Sequence, residues 1–343
     1  MLKKKLKLTL ADIARMANVS TSTASRALND NPLIKASTRE RIQSLAKANN
    51  FSLNAAASRL RTQRTKVIAV ILNLDQKTEQ SVNDPFLLKV VGDLNQALNA
   101  QGYELLLSNS IMAKDNWANY FINSQRADGL IVIGQGKHND QIEDAALSGV
   151  PIVVWGDVNV STHYPVVGSD NFLGGIAATQ HLFSNGHRRI MFLGDSGHSE
   201  MRARYEGYCK VLQDNHLALD SNLVLPADIT SHAAYKAVSD HIKANGLNFD
   251  GIFAVSDMMA IGALKALKER YISIPNDVAL VGFDDIAMAE LMHPALTTIR
   301  QDTKRASVVM VDKMMSLLKG ETVDSSAIDI KLVVRRSSTF GAE

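Results

Sequence analysis

The feature that most constrains the fold is a regular alternation of short apolar runs with amphipathic helical stretches, which begins at residue 67. A continuous apolar run of five or six residues is typical of a strand buried on both faces, and such strands alternate with helices in parallel sheets. The predicted strands are 67–72, 103–107, 129–133, 151–155, 189–194, 251–255 and 278–283. The predicted helices are 86–100, 117–125, 140–147, 175–184, 202–213, 233–244 and 258–270. Two consecutive series of this kind predict two doubly wound subdomains with a cleft between them.

Residues 9–28 have a different pattern, which predicts two short helices joined by a tight turn. Thr9 is placed to cap the first helix, with Asp12 three residues later as its capping-box partner. Ser20 is placed to cap the second helix, whose first turn carries small hydroxyl side chains, and Arg26 projects from its outer face. Such side chains suit base edges and phosphates in the DNA major groove. The alternative is a pair of amphipathic helices from a larger bundle.

The distribution of charge favours the DNA-binding interpretation. Residues 1–66 hold 14 Lys and Arg against 3 Asp and Glu, a net charge of +11. The rest of the chain holds 23 against 32, a net charge of −9, although the whole protein is close to neutral at +2. Positive charge concentrated in one small N-terminal module indicates a partner that is a polyanion.

Two further stretches complete the predicted N-terminal part. Residues 37–40 (Ser-Thr-Arg-Glu) predict a second capping box, which opens a helix running to about Asn49. The alanine-rich stretch 51–61, with Asn54 as a cap, is too short to form a stable helix alone in water. It is either a plain linker or a hinge helix that becomes ordered on DNA. The predicted domains are a headpiece (1–52), a hinge helix and linker (53–66) and a core (67–343).

Polar residues follow several of the predicted strands, at the edge where ligands bind in open α/β sheets. They are Asp157, Asp195, Ser256, Asp257, Asp284 and Asp285, with Arg202 and Arg204 after the strand that ends at Gly194. Carboxylates and guanidiniums together suit bidentate binding of vicinal sugar hydroxyls. For any one of these residues, capping the next helix is the better explanation. The predicted site therefore depends on their convergence.

Other classes of protein find little support in the sequence. The first strand is not followed by G-x-G-x-x-G, and no Walker A sequence or G-x-S-x-G elbow is present. The nine histidines lack metal-ligand spacing, and Cys209 is the only cysteine. No apolar run approaches the ~18 residues of a membrane span, and charged residues interrupt any signal peptide after the lysines at 3–5. We therefore expect a cytoplasmic protein without catalytic activity, cofactor or metal.

Taken together, the motifs resemble those of the lactose-repressor/galactose-repressor family of bacterial transcription regulators. The resemblance is carried by TLADIARMANVSTSTASRALN (9–29), LNAAASRLR (53–61), GHRRIMFLGD (186–195), SDMMAIGALKAL (256–267) and VALVGFDDIAMAELMHPALTTIRQD (278–302). It implies an α/β chain with a three-helix helix-turn-helix headpiece, a hinge helix and a two-subdomain core similar to type I periplasmic binding proteins, assembled as a dimer. The subdomains would be approximately 67–168 plus 297–325, and 169–296 plus 326–343. A small effector in the cleft would change subdomain geometry and so the affinity for operator DNA.

The resemblance also implies roles for particular residues of the DNA-binding part. Thr21, Ser22 and Arg26 match base-reading positions of the recognition helix. Leu60 matches a hinge leucine that wedges into the minor groove at the operator centre. The other expected DNA-contacting residues are Thr9, Ser20, Thr23, Ser25, Asn29, Asn54 and Ala57. Leu53 replaces the proline that is usual before the hinge asparagine.

For the effector, the resemblance implies a set of polar and aromatic residues at the cleft. The expected set is Phe86, Asp157, Arg202, Arg204, Ser256 and Asp284. Ser256 stands where asparagine is common, and Ile229 lies near a position that holds a sugar-stacking tryptophan in some members. Trp155 or Phe86 would then supply the stacking surface.

The prediction is a sequence-specific repressor that binds pseudo-palindromic operator DNA as a homodimer and responds to a mono- or oligosaccharide, with a glucoside or malto-oligosaccharide preferred. One alternative keeps this architecture with a purine or a phosphorylated metabolite as corepressor. A second alternative, a solute-binding protein, shares the core but conflicts with the +11 headpiece and the lack of an export signal. The sequence specifies neither the operator nor the sign of the response.

Overall fold

The computed structural model describes residues 8–51, 64–74, 80–112, 116–136, 140–160 and 162–339. The chain divides into two compact units, Met1–Thr65 and Lys66–Glu343. Most of the predicted hinge helix, including Leu53, Asn54, Ala57 and Leu60, lies outside the described residues.

The first unit contains the predicted helix-turn-helix, with helices α1 (Leu10–Met16), α2 (Thr21–Leu28) and α3 (Ala36–Ala48). The capping box of α1 is confirmed, because Thr9 and Asp12 exchange side-chain-to-backbone hydrogen bonds. The Ser20 hydroxyl accepts a hydrogen bond from the Thr23 N–H at 3.1 Å and so caps α2. These caps satisfy backbone donors at the helix starts that have no partner within the helix. The unit has a small core of buried apolar side chains: Ile13, Ala14, Ala17, Ala24, Ala27 and Ile42.

The second capping box, predicted at residues 37–40, is wrong. Helix α3 already begins at Ala36, and its N-cap residue Lys35 makes no side-chain capping bond. Contacts from the body of the helix fix α3 instead. The Arg41 guanidinium donates to the Ala17 carbonyl at 3.0 Å, and the Gln43 amide donates to the Asp30 carboxylate at 2.7 Å. These longer-range bonds replace the local cap that the sequence pattern suggested.

The second unit is built on two six-stranded sheets in the described residues. The first sheet has the order β11-β5-β4-β3-β1-β2 and is parallel throughout. The second has the order β12-β10-β9-β8-β6-β7, with only β12 antiparallel to its neighbour. The strands are β1 (Val67–Leu72), β2 (Glu104–Asn109), β3 (Gly129–Ile133), β4 (Ile152–Trp155), β5 (Val166–Ser169), β6 (Ile190–Leu193), β7 (Val224–Leu225), β8 (Gly251–Ala254), β9 (Ala279–Asp284), β10 (Thr297–Gln301), β11 (Ser326–Ile328) and β12 (Ile330–Val333).

Helices cover these sheets, as continuous apolar strands require. They are α4 (Pro85–Ala100), α5 (Asp140–Leu147), α6 (Asn171–Ser184), α7 (Ser199–Asp214), α8 (Ser231–Asn245), α9 (Asp257–Lys268), α10 (Ala287–Leu291) and α11 (Thr303–Leu317). A π-helical turn, Ala118–Asn123, occupies the place of the predicted helix 117–125, and a short 3-10 helix spans Ser221–Leu223.

The predicted subdomain boundaries at 297 and 326 are wrong, although both subdomains are present. Strand β10 pairs with β9 and so belongs to the second sheet, whereas β11 pairs with β5 in the first sheet. Helix α11 does pack on the first sheet, where Met310 and Met314 share a core with Ile68 and Val70. The chain therefore passes between the subdomains after β5, after β10 and after β11. The short, partly polar strands at these crossings lack the apolar run that marks the central strands.

Candidate functional site

Helix α2 presents an exposed polar surface in the headpiece. Thr21, Ser22, Arg26 and Asn29 are exposed. Thr9 and Ser20 are also exposed, and both are engaged as helix caps. Thr23 is half-buried, and its hydroxyl lies 2.8 Å from that of Ser20.

Ser25 differs from the other predicted DNA-contacting residues of α2. It is buried, with 6% of its surface exposed, whereas its neighbour Arg26 is exposed. A side chain enclosed in the headpiece is not presented to a base or a phosphate. The structure therefore does not place Ser25 with the exposed residues of this helix.

In the second unit, a cavity with about 780 Å³ of empty space, including its mouth, lies between the two subdomains. The first subdomain contributes Asn73, Leu74, Gln80, Asp84, Phe86, Leu87, Ile133, Gly134, Gly136 and Trp155. The second contributes His198, Glu200, Met201, Arg204, Ile229, Ser256 and Asp284. Four of the six predicted effector-site residues are thus brought together at one cavity, namely Phe86, Arg204, Ser256 and Asp284.

The first subdomain supplies an aromatic wall. The rings of Phe86 and Trp155 meet edge to face, with centroids 6.0 Å apart and an interplanar angle of 62°. Phe86 lies in the first turn of α4, where Asp84 caps the helix by accepting hydrogen bonds from the N–H groups of Phe86 (2.9 Å) and Leu87 (3.3 Å). Trp155 ends the buried strand β4. The wall is therefore fixed by a capped helix and a central strand.

The second subdomain supplies a polar wall centred on Arg204, which is only 4% exposed. Its Nε donates to the Asn171 amide oxygen at 2.8 Å, and its Nη1 donates to the Val255 carbonyl. The guanidinium lies 3.5 Å from the centroid of the Phe283 ring. Burial lowers the pKa of Arg204 to about 10, an effect that nearby carboxylates oppose. These contacts hold a planar, charged hydrogen-bond donor in one orientation at the cavity.

Asp284 lies at the end of β9 and faces the same cavity. Its carboxylate accepts a hydrogen bond from the Gln301 amide at 2.7 Å. Burial raises the pKa of Asp284 well above its usual range; Arg204 opposes this shift and the charge of Asp84 reinforces it. Burial also raises the pKa of Asp84, on the opposite subdomain. Carboxyl groups therefore face the cavity from both sides.

Two predicted effector-site residues lie outside this lining. The Asp157 carboxylate accepts bonds from the backbone and side-chain nitrogens of Asn159, at 3.0 and 3.1 Å. Arg202 is exposed and lies two residues before Arg204 on α7, so it points away from the buried face. These two residues of the predicted cleft set therefore do not line the cavity of this structure.

Among the other residues at strand ends, Asp257 and Asp195 accept hydrogen bonds from neighbouring parts of the fold. The fully buried Asp257 accepts from the Ile286 N–H (2.9 Å) and the Thr298 hydroxyl (2.6 Å). Asp195 accepts from the Gly197 N–H in a turn.

Sequence reasoning missed several cavity residues, of which Asp84 and Glu200 carry charge. A signal for each was present in the sequence. Glu200 precedes Arg204 by four residues, so the two share a helix face, and Asp84 stands before a proline at a helix start, where caps occur.

Neither a membrane span nor a metal cluster is found in the part of the chain that the structure describes. No helix there is long and apolar enough to cross a membrane. No group of three or more His, Cys, Asp or Glu side chains there is placed to hold a metal ion.

Comparison with known proteins agrees with this architecture. Residues 9–54 match the model for bacterial regulatory proteins of the lacI family, and residues 179–339 match a periplasmic binding protein-like domain. The HTH-type transcriptional repressor PurR of Haemophilus influenzae (strain PittGG) is 30% identical over 340 residues, covering 96% of this chain and 98% of that protein. A transcriptional regulator CelR–cellobiose complex is similar in structure, with a TM-score of 0.71, 27% identity and coverage of 96% and 99%. A lac repressor dimer bound to operator and the anti-inducer ONPF has the same fold, with a TM-score of 0.81, 24% identity and the same coverage.

A helix-turn-helix headpiece followed by a two-subdomain core with a cleft defines the class of ligand-responsive DNA-binding regulators. The chain belongs to the lacI family of bacterial regulatory proteins. It is a DNA-binding transcriptional repressor with an effector-binding core.

Proposed function

We propose that the effector of this repressor is a neutral, polyhydroxylated molecule, a mono- or oligosaccharide, bound in the cavity between the subdomains. The main observation behind the proposal is that two different surfaces face each other across the cavity. Phe86 and Trp155 present an aromatic surface from one subdomain, while Arg204 and Asp284 present polar hydrogen-bonding groups from the other. A pyranose ring has an apolar C–H face and a rim of hydroxyls, which these two surfaces complement.

The proposed contacts follow from this arrangement. Phe86 and Trp155 stack against the ligand, while Arg204, Asp284, Glu200 and Ser256 bind its hydroxyls. At the DNA, we propose that Thr21, Ser22, Arg26 and Asn29 meet a pseudo-palindromic operator to which a cytoplasmic homodimer binds. An effector that contacts both subdomains favours one relative arrangement of them, and its differential affinity sets the size of the response.

The charge of the cavity argues against a phosphorylated effector. Asp84, Glu200 and Asp284 line it, whereas Arg204 is the only guanidinium in the described lining. A phosphate placed among these three carboxyl groups would be repelled by each one that is ionised, and Arg204 alone would offset that repulsion. The cellobiose in the similar CelR complex supports the choice of a sugar.

A purine is the second candidate. The likeness to the repressor PurR, at 30% identity over 96% of this chain, favours it. The pair of Phe86 and Trp155 also offers an aromatic surface on which a flat base would stack. A direct binding measurement separates the two candidates.

The test is calorimetric titration of the full chain with maltose, cellobiose and adenine. We expect heat from a sugar and none from adenine; binding of adenine alone would reject the sugar proposal. Arg204→Ala should weaken sugar binding by about 10- to 100-fold, because charged hydrogen bonds contribute roughly 1.5–3 kcal/mol. Arg202→Ala is the matched control, since this exposed arginine lies on the same helix outside the cavity.

A folded Arg204→Ala variant, checked by its thermal unfolding, should still bind operator with an affinity near that of the wild type but no longer respond to the sugar. If Arg204→Ala binds the sugar with the affinity of the wild type, the sugar does not bind in this cavity in contact with Arg204.

A further inference from the structure

A side-chain hydrogen bond joins the two subdomains beside the cavity. Gln135 follows β3 in the first subdomain, and Ser199 begins α7 in the second. The Ser199 hydroxyl donates to the Gln135 amide oxygen at 3.1 Å. Gln135 is 3% exposed and lies between the cavity-lining residues Gly134 and Gly136. A change in the angle between the subdomains that separates Gln135 from Ser199 therefore breaks this bond.

The orientation of the Gln135 amide is fixed from within its own subdomain. Its oxygen also accepts a hydrogen bond from the backbone N–H of Asp157 at 2.9 Å. A flipped amide would set its NH₂ group against that N–H, two donors facing each other. In the observed orientation the Gln135 Nε2 is buried and has no hydrogen-bond partner among the described residues. A buried unsatisfied donor is unfavourable, so this orientation of the Gln135 amide depends on both bonds to its oxygen.

The Ser199 hydroxyl has a second acceptor. It lies 3.2 Å from Glu200 Oε2, and Glu200 lines the cavity. A hydroxyl carries one proton and donates it to one acceptor at a time. A carboxylate oxygen is a stronger acceptor than an amide oxygen, so Glu200 competes with Gln135 for that proton. A ligand hydroxyl that donates to Glu200 would weaken this competition.

We propose that Gln135, Ser199 and Glu200 form a latch that couples occupancy of the cavity to closure of the cleft. In the ligand-free protein, Gln135 and Glu200 share the Ser199 proton, so the latch is weaker than it would be without Glu200. A bound effector that donates to Glu200 releases the proton to Gln135, and the bond between the subdomains strengthens. The coupling to the effector rests on the proposed function, whereas the latch itself is a property of the ligand-free protein.

The backbone N–H of Asp157 reports directly on this latch, because its acceptor is the Gln135 oxygen. Its hydrogen-exchange rate is measured in the ligand-free full chain by mass spectrometry with residue-level fragmentation. Ser199→Ala removes the donor from the second subdomain, so exchange at Asp157 should accelerate by about tenfold or more. Ser196→Ala, at an exposed serine in the loop before α7, is the matched control and should leave the rate unchanged. Ser199→Thr keeps a hydroxyl and should restore the wild-type rate.

Glu200→Met should change the exchange rate at Asp157 in the direction opposite to Ser199→Ala. It removes the competing acceptor at similar side-chain length, so exchange at Asp157 should become slower than in the wild type. A role for these residues in packing alone predicts faster exchange in both Ser199→Ala and Glu200→Met, and that outcome would overturn the proposal. So would an unchanged rate in Ser199→Ala.

Titration with maltose and cellobiose separates this proposal from the function of the site. A sugar that binds by calorimetry should slow exchange at Asp157 in the wild type and have no such effect in Ser199→Ala. If neither sugar binds, the sugar proposal fails while the ligand-free measurements still decide whether the latch exists. If a sugar binds and leaves the rate at Asp157 unchanged, the coupling is rejected and the binding site stands.

Discussion

Arg26 is an exposed arginine on the helix that follows the turn of the headpiece, and no hydrogen bond of its side chain ties it to the fold in the described residues. We expect Arg26→Ala to weaken binding to the cognate operator by about 1–3 kcal/mol and to relax base preference at one position per half-site. Fluorescence anisotropy with a set of single-base operator variants measures both effects. Equal losses on cognate and random DNA would assign Arg26 to phosphate contact only.

The buried Asp257 carboxyl group leads us to expect that the free energy of unfolding depends on pH. Burial raises its pKa to about 7, against hydrogen bonds from Thr298 and Ile286 that lower it. In the unfolded chain its carboxyl group loses its proton near pH 4. Between these values the folded state holds more protons than the unfolded state, so Asp257 makes the free energy of unfolding fall as pH rises. The contribution is roughly 1.4 kcal/mol per pH unit within the window, and it ends near pH 7.

Asp257→Asn removes the titrating group and keeps the shape of the side chain. Urea denaturation at pH 5 and at pH 7.5 should show the variant gaining stability relative to the wild type at the higher pH. An equal difference in unfolding free energy at the two pH values would mean that Asp257 is ionised in the fold across the whole range.

At the cavity, the sequence predicted those residues that immediately follow a strand or match a family motif. Phe86, Arg204, Ser256 and Asp284 are of this kind, and the structure brings them to one cavity. Asp157 also follows a strand, yet its carboxylate is taken up by Asn159. Glu200 reaches the cavity because of the way helix α7 is turned about its axis, and Asp84 because it lies at the start of α4. Neither residue follows a strand, so the search for residues at strand ends did not find them. Contacts between the subdomains, such as Gln135 with Ser199, depend on their relative closure and leave no local sequence signal.

At the scale of elements, helices α6 and α7 approach each other through glycines, and this approach positions Arg204. A Cβ added at Gly175 would lie 2.2 Å from the Arg204 carbonyl oxygen, and one added at Gly207 would lie 2.3 Å from that of Phe172. Backbone atoms at these distances cannot move aside without shifting a helix. The central strands were predictable because each is a continuous apolar run. The contact between α6 and α7 was not, because it depends on which glycines of the two helices face each other, and the apolar periodicity of either helix alone does not reveal this.

We expect Gly175→Ala to destabilise the core by about 1–3 kcal/mol, as overpacking does, and to weaken effector binding by shifting α7. Gly92→Ala in α4 is the matched control, since nothing lies within 4 Å of its added Cβ. Replacing glycine by alanine in an open helical position should stabilise the core by roughly 0.5–1 kcal/mol. Thermal unfolding and calorimetry measure the two variants side by side. Stabilisation of both variants would show that helix propensity, and not backbone contact, governs position 175.

At the scale of the whole molecule, the N-terminal residues and the rest of the chain carry opposite charge. Residues 1–66 have a net charge of +11, and the remainder has −9. Attraction to phosphates is thereby confined to the N-terminal part, while the acidic remainder is repelled by DNA. In the proposed function, the effector acts on the core through its differential affinity for two arrangements of the subdomains. Linkage then requires that operator and effector change each other's affinity by the same factor.

This separation of charge predicts different responses to salt. Operator binding releases counterions from the phosphates, so 6–10 phosphate contacts would cost roughly 10³- to 10⁵-fold in affinity between 50 and 200 mM salt. A neutral sugar releases no such ions, and its contacts lie in a cavity where salt screens weakly. We therefore expect the sugar Kd of the full chain to stay within about twofold over the same range while the operator Kd rises steeply. Parallel titrations in KCl, by anisotropy for a labelled operator and by calorimetry for the sugar, make the comparison. A phosphorylated effector would instead lose affinity as salt increases, because salt screens its charge while it is free in solution. A steep salt dependence of effector binding would therefore reject the neutral sugar.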